Sequence, residues 1–216
     1  MNTELAVFDL DGTLLHPIGD LAVACNTALA LRGLPQHSYD EYCGFVGSGI
    51  MRLVERALPE PLRSPENVAL MRADFVRYYT AHIDVYTKPY DGIPELLAEL
   101  AQRGVRLAVA SNKFQAGTER LIARFFPDIP FGPVLGQREG VSLKPDPAVV
   151  EEILAATGAA RERTVFVGDS GIDILTAKAA GVRSIGVSWG FRTRTELEQA
   201  GADHIVDRAG ELIGLL

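Results

Sequence analysis

Cysteine is almost absent from this chain, with two among 216 residues, Cys25 and Cys43. They show neither the paired spacing of a zinc site nor the density of a disulfide framework, so buried free thiols are expected. Positive charge is also scarce. Lys and Arg number 21 against 28 Asp and Glu, a formal net charge of −7, and no basic run appears. That balance argues against a polyanion-binding role and thus against nucleic acid as a partner. No apolar run reaches the ~20 residues needed to span a bilayer, and membrane association is not expected. The N-terminus enters an apolar segment without the charged region, apolar stretch and cleavage site of a secretory signal, so a cytoplasmic protein is expected. No internal repeat or low-complexity segment stands out. What remains is ordinary globular composition, 47% hydrophobic and 23% charged, long enough for one domain plus a smaller insertion.

The most informative stretch lies near the start. Leu5-Ala6-Val7-Phe8 is an apolar run without alternation that breaks off at Asp9-Leu10-Asp11-Gly12-Thr13. Such a run suits a strand covered on both faces, as in a parallel sheet. Ligands of such sheets collect beyond the carboxyl ends of the strands. Asp9 would sit at that end, and Asp11 would return toward the same space. Asp and Gly are also ordinary turn formers, yet two close carboxylates repel, and a cation or phosphoryl chemistry would explain them better.

Beyond Leu14 the period changes to that of a helix. Asp20 is placed to cap a segment with Leu21, Ala24, Cys25, Ala28, Leu29 and Leu31 near helical spacing, ending at Gly33 and Pro35. Further helices are predicted over 39–45, after Gly47-Ser48-Gly49, and over about 67–82, where Phe75, Tyr78 and Tyr79 form an aromatic stripe suited to a core. From Asp91 onward helix and strand alternate: helix 93–102, strand 105–110 breaking at Ser111-Asn112-Lys113, helix 115–125, a short strand near 133–135, helix 148–157, strand 164–167, helix 172–180, strand 184–187, helix 194–200 and strand 204–206. The shift marks an inserted helical domain over 16–86, within a core made of 1–15 and 87–216.

Four polar sites follow strands or open helices: Asp9 with Asp11, Ser111, Lys144, and Asp169 with Asp173. Parallel connections would bring these ends to one rim. Each has a plainer reading alone, Ser111 as a helix cap, Lys144 as a solvated lysine and Asp169 as a turn residue. Their joint occurrence in this order argues against the plain readings.

Through Asp9-Leu10-Asp11-Gly12-Thr13, Ser111-Asn112, Lys144-Pro145 and Val167-Gly168-Asp169-Ser170 with Asp173, the chain resembles the haloacid dehalogenase superfamily of phosphohydrolases. The resemblance implies an α/β fold, a doubly wound parallel-sheet Rossmann-like core with an inserted all-helical cap. It also implies an aspartyl-phosphate mechanism. Asp9 is the implied nucleophile, Asp11 the general acid and base, Ser111 a hydrogen-bond partner of the phosphoryl group, and Lys144 the residue offsetting its charge. Asp9, the backbone carbonyl of Asp11, and Asp169 are the implied ligands of a Mg²⁺ cofactor, with Asp173 holding a bound water or orienting Lys144. Gly12 and Thr13 would shape the turn and support the phosphate pocket. Asn112 would offer a backbone donor to phosphate, and Lys113 would meet a second anionic group on the substrate or stand solvated at a helix entry.

Val46-Gly47-Ser48-Gly49, Tyr90-Asp91-Gly92-Ile93, Ala110-Ser111-Asn112-Lys113 and Ser188-Trp189-Gly190-Phe191 resemble the phosphoglycolate phosphatase branch. The hinge departs from it, with Leu15-His16-Pro17 in place of Val-Asp-Ser. The expected activity is Mg²⁺-dependent hydrolysis of a small phosphorylated metabolite such as 2-phosphoglycolate, by a monomer or homodimer. The alternatives are a phosphosugar mutase, pyrophosphatase or nucleotidase of the same superfamily, and a noncatalytic phosphate-binding module. Dehalogenation is disfavoured because haloacid dehalogenases lack the residue at Asp11.

Overall fold

A computed structural model describes residues 3–216. The described chain divides into two compact units, 3–15 with 89–216 and 16–88. It crosses between them at a two-stranded ribbon of β2 (Leu15–His16) and β3 (Lys88–Pro89).

The first unit is built on a six-stranded, wholly parallel sheet. Its strands are β1 (Leu5–Phe8), β4 (Arg106–Phe114), β5 (Phe131–Gln137), β6 (Thr164–Gly168), β7 (Arg183–Val187) and β8 (His204–Val206), in the order β5-β4-β1-β6-β7-β8. Helices α5 (Ile93–Gln102), α6 (Gln115–Phe125), α7 (Ala148–Thr157), α8 (Gly171–Ala179) and α9 (Arg194–Ala200) alternate with these strands. This is a doubly wound, Rossmann-like order. The chain moves outward from β1 through β4 to β5, then returns to the other side of β1 at β6. The strand order reverses there, and sheets of this type bind ligands at that point.

Why β1 is central follows from its composition. All four of its residues are fully buried, as an unbroken apolar strand covered on both faces must be. Leu5 and Val7 point into a cluster with Ala108, Ala110 and Phe166 from the neighbouring strands and Val149, Val150, Ile153 and Leu154 of α7. Ala6 and Phe8, on the opposite face, are equally buried.

Strand β4 departs from expectation. It does not break at Ser111 but continues to Phe114, with an irregularity in its pairing to β5 between Ala110 and Phe114. β5 is also longer than the 133–135 expected, and it tolerates Pro133 because it lies at the edge of the sheet.

The second unit is helical: α1 (Ile18–Ala30), α2 (Tyr39–Phe45), α3 (Gly49–Ala57) and α4 (Pro65–Ala81). Ser38 and Ser64 cap α2 and α4, with Pro65 in the first turn of α4. Phe75 and Tyr79 are buried and stack at 5.1 Å, whereas Tyr78 is half-buried and stacks on His82. Asp20 is not the cap of α1. It lies inside the first turn, almost fully buried, and its carboxylate accepts hydrogen bonds from the backbone of Tyr86 and from the backbone and hydroxyl of Thr87. It thereby ties the returning segment to the start of α1. No helix among the described residues is long and apolar enough to cross a membrane.

Candidate active site

The site gathers at the carboxyl ends of β1, β4 and β6. Asp9 follows β1, and its backbone N–H still donates to Val167 of β6 at 2.9 Å, so the neighbouring strand holds the start of the turn in place. The turn closes on Leu10, whose carbonyl accepts from the N–H groups of Leu14 and Leu15 at 3.0 and 2.9 Å. Gly12 takes φ +95°, a region L side chains rarely enter. The Trp189 indole N–H donates to the carbonyl of Thr13 at 3.0 Å and pins the far side of the turn.

Lys144 lies at the centre. Its ammonium donates to Asp9 Oδ1 at 2.8 Å, to Asp173 Oδ1 at 2.7 Å and to the Ala110 carbonyl at 2.9 Å, which uses all three of its protons. Asp173 in turn accepts from the backbone and hydroxyl of Ser170 at 3.1 and 2.6 Å, a capping box at the entry to α8. A helix-start motif therefore also holds the lysine. Of the two tasks expected for Asp173, contact with Lys144 is the one visible.

Asp169 sits in a slot with no room for side chains around it. A Cβ on either Gly12 or Gly190 would collide with its carboxyl group, and the Phe191 N–H donates to its Oδ2 at 2.7 Å. Likewise, a Cβ on Gly168 would collide with Asp173. Gly12 was expected only as a shaper of its own turn and of the phosphate pocket, and Gly168, Gly190 and the Phe191 amide were not assigned to the site from the sequence. The glycine of Trp189-Gly190-Phe191 was the available signal, but only the fold shows which carboxylate it admits.

Carboxylate oxygens of Asp9, Asp169 and Asp173 lie within 4.8 Å of one another, and all three residues are buried. Burial pushes the Asp9 carboxyl up to about 7; the charge of Lys144 opposes that rise and Asp173 adds to it. Asp169 is driven well above the usual carboxylate range by burial and then by the charges of Asp173 and Asp9. Burial acts to lower the Lys144 ammonium, but Asp173 and Asp9 outweigh it and hold it above the usual lysine range. Lys144 thus pairs with two of the three buried carboxylates, Asp9 and Asp173. Hard oxygen donors with a deficit of positive charge suit a divalent cation such as Mg²⁺.

The residues after Ala110 engage three different partners. The Ser111 hydroxyl accepts from the Lys113 N–H at 3.3 Å. The Asn112 amide pairs with the backbone of Lys144, accepting its N–H at 2.9 Å and donating to its carbonyl at 3.2 Å. The Lys113 ammonium lies 2.8 and 3.1 Å from the two oxygens of Asp11. The Asn112 side chain thus holds the backbone at Lys144. Lys113, expected at a substrate anion or in solvent, is buried against Asp11. Thr13 is fully buried, and its hydroxyl has no hydrogen-bond partner among the described residues.

Residues 6–187 match the family model of haloacid dehalogenase-like hydrolases. The chain belongs to that family. Among haloacid dehalogenase-like relatives, a phosphoglycolate phosphatase of Pectobacterium atrosepticum is 34% identical over 97% of this chain and 90% of its own length. A second, from Haemophilus influenzae strain Rd, is 30% identical over the full length of both chains. A crystal structure of a Lactobacillus delbrueckii subsp. bulgaricus protein, described as a candidate phosphoglycolate phosphatase, superposes with a TM-score of 0.93 at 34% identity. It covers 98% of this chain and 97% of its own.

Proposed function

We propose that the protein is a Mg²⁺-dependent phosphomonoester hydrolase that works through an aspartyl-phosphate intermediate on a small anionic phosphate, 2-phosphoglycolate being the leading candidate. The phosphatase class is supported by the family and by the relatives above. The observation that carries the mechanism is Asp9 at the end of the central strand, with one oxygen held by Lys144 and with Asp11 and Asp169 beside the same turn.

In this reading a carboxylate oxygen of Asp9 attacks phosphorus while the bond to the leaving oxygen breaks. Asp11 gives that oxygen its proton, then takes one from the water that cleaves the aspartyl phosphate. Inorganic phosphate leaves and Asp9 is restored. Such proton transfers contribute roughly 10²–10⁴-fold each. Lys144 keeps the nucleophile oriented and offsets charge on the transferring group. Ser111 hydrogen-bonds that group, and Gly12 and Thr13 shape the turn that receives it. Asp9, the Asp11 carbonyl and Asp169 would hold the Mg²⁺, which supplies charge stabilisation to the phosphoryl oxygens. Asn112 serves by fixing the backbone at Lys144. Residues 16–88 are assigned the role of a cap that excludes water during transfer.

Purified protein with Mg²⁺ is expected to release inorganic phosphate from a panel of phosphate esters, with the highest kcat/KM on 2-phosphoglycolate. Asp9→Asn is expected to reduce release to background. Full turnover by that variant would remove Asp9 from its role, and an isomerised sugar phosphate in place of free phosphate would point to a mutase.

A further inference from the structure

Two ammonium groups stand in the site, and they are held differently. Lys144 has all three protons committed to Asp9, Asp173 and the Ala110 carbonyl. Lys113 instead straddles the two oxygens of Asp11, at 2.8 and 3.1 Å, with its side chain only 3% exposed. A lysine buried to that degree needs an anion beside it, since an uncompensated interior charge is costly. Yet Asp11 is the carboxyl group that the proposed reaction requires at the leaving oxygen. While the ammonium bridges both of its oxygens, that carboxyl is committed elsewhere. Asp11 is the more exposed of the two, its side chain 14% accessible, so the pair opens to solvent on the carboxylate side.

We propose that Lys113 is a specificity-determining residue that exchanges Asp11 for a second anionic group on the substrate, and so releases Asp11 for the reaction. This rests on the phosphatase reading above. The energetic logic is an exchange of partners. Moving the ammonium from one carboxylate to another anion leaves a buried charge paired throughout. Moving it to a neutral group strands the charge, and the site penalises substrates that require this. The substrate class is therefore small phosphate monoesters with a second negative group, such as a carboxylate, close to the ester oxygen. A neutral ester of the same size leaves Lys113 on Asp11.

The test compares 2-phosphoglycolate with ethyl phosphate, which lacks the carboxylate. Wild-type kcat/KM is expected to favour phosphoglycolate by roughly 10²–10⁴-fold. Lys113→Met, similar in length but uncharged, is expected to shrink that ratio to about tenfold or less, mainly through a higher KM for phosphoglycolate. Lys113→Arg is expected to keep the preference. A parallel fall on both esters, or an unchanged ratio, would overturn the assignment. A second arm needs no turnover: by calorimetry with Mg²⁺, Asp9→Asn protein should bind phosphoglycolate more tightly than ethyl phosphate, and adding Lys113→Met should remove the difference. Equal affinities in Asp9→Asn, or a difference that survives Lys113→Met, would overturn the role of Lys113. If wild type released no phosphate from either ester, the hydrolase reading would fall while the calorimetric comparison still decided Lys113.

Discussion

At the scale of single residues, the site depends on partners more than on the acidic side chains alone. Asp11→Asn retains the shape of the turn but removes the proposed proton donor, so kcat is expected to fall by about 10²–10⁴-fold with a smaller change in KM, measured by steady-state phosphate release. Asn112 offers a separate test, because its amide satisfies both backbone groups of a buried lysine. Asn112→Ala leaves that N–H and carbonyl without their partner, at a cost of about 1–3 kcal/mol for each group. A lower Tm and a lower kcat are expected together, the second because Lys144 loses its anchor. Of the two thiols expected to be buried, Cys43 is only half-buried, whereas Cys25 is buried and burial pushes its thiol up to about 11. Thiol reagents at neutral pH should therefore label it only on unfolding, as peptide mapping of the native and denatured protein would show.

Elements show why some features were legible and others were not. The helices of the second unit announce themselves through period and caps, and α2 carries a full capping box between Ser38 and Glu41. The Ser38 N–H, followed by His37 and the Ser38 hydroxyl, holds Glu41 down at about 2 against an ordinary 4.5. A depressed folded value means that the contribution is complete above the unfolded value and disappears as pH falls through the folded one. The Tm difference between wild type and Glu41→Gln is thus expected to be constant above about pH 5 and to shrink as pH is lowered from about 4.5 toward 2. Strand β4 is the opposite case. Ser, Asn and Lys are poor strand formers, so Ser111-Asn112-Lys113 reads as a break. The segment stays extended because Phe114 pairs with Gln137 of β5 and because Asn112 and Lys113 find their partners outside the strand. Gly190 belongs to this scale too. Gly190→Ala would push against Asp169, and a weaker Mg²⁺ affinity is expected by calorimetry alongside a higher Mg²⁺ requirement for turnover.

Across the whole molecule, the reversal of strand order beside β1 places Asp9 and Asp169 on adjacent strand ends, although they are 160 positions apart in a chain of 216. Three buried carboxylates within 4.8 Å of one another should make the folded state gain from a divalent cation. Mg²⁺ at about 100 times its Kd is expected to add about 2.7 kcal/mol to stability, seen as a higher Tm that Asp169→Asn abolishes. Chelation should remove turnover, and added Mg²⁺ should restore it. The sequence by itself determined the buried central strand, the alternation of helix and strand, the helical segment and the residue types at each strand end, because periodicity, glycine turns and apolar runs are local properties. Tertiary structure decided the pairings: Asn112 with the Lys144 backbone, Lys113 with Asp11, Asp173 with Lys144, and the glycine slot around Asp169. Those contacts join residues between 21 and 157 positions apart, and a hydrogen bond or a close approach between such residues is set by strand order and register. The Asp9-to-Thr13 turn could therefore be recognised from the chain alone, whereas the buried lysine resting on its second carboxylate required the fold.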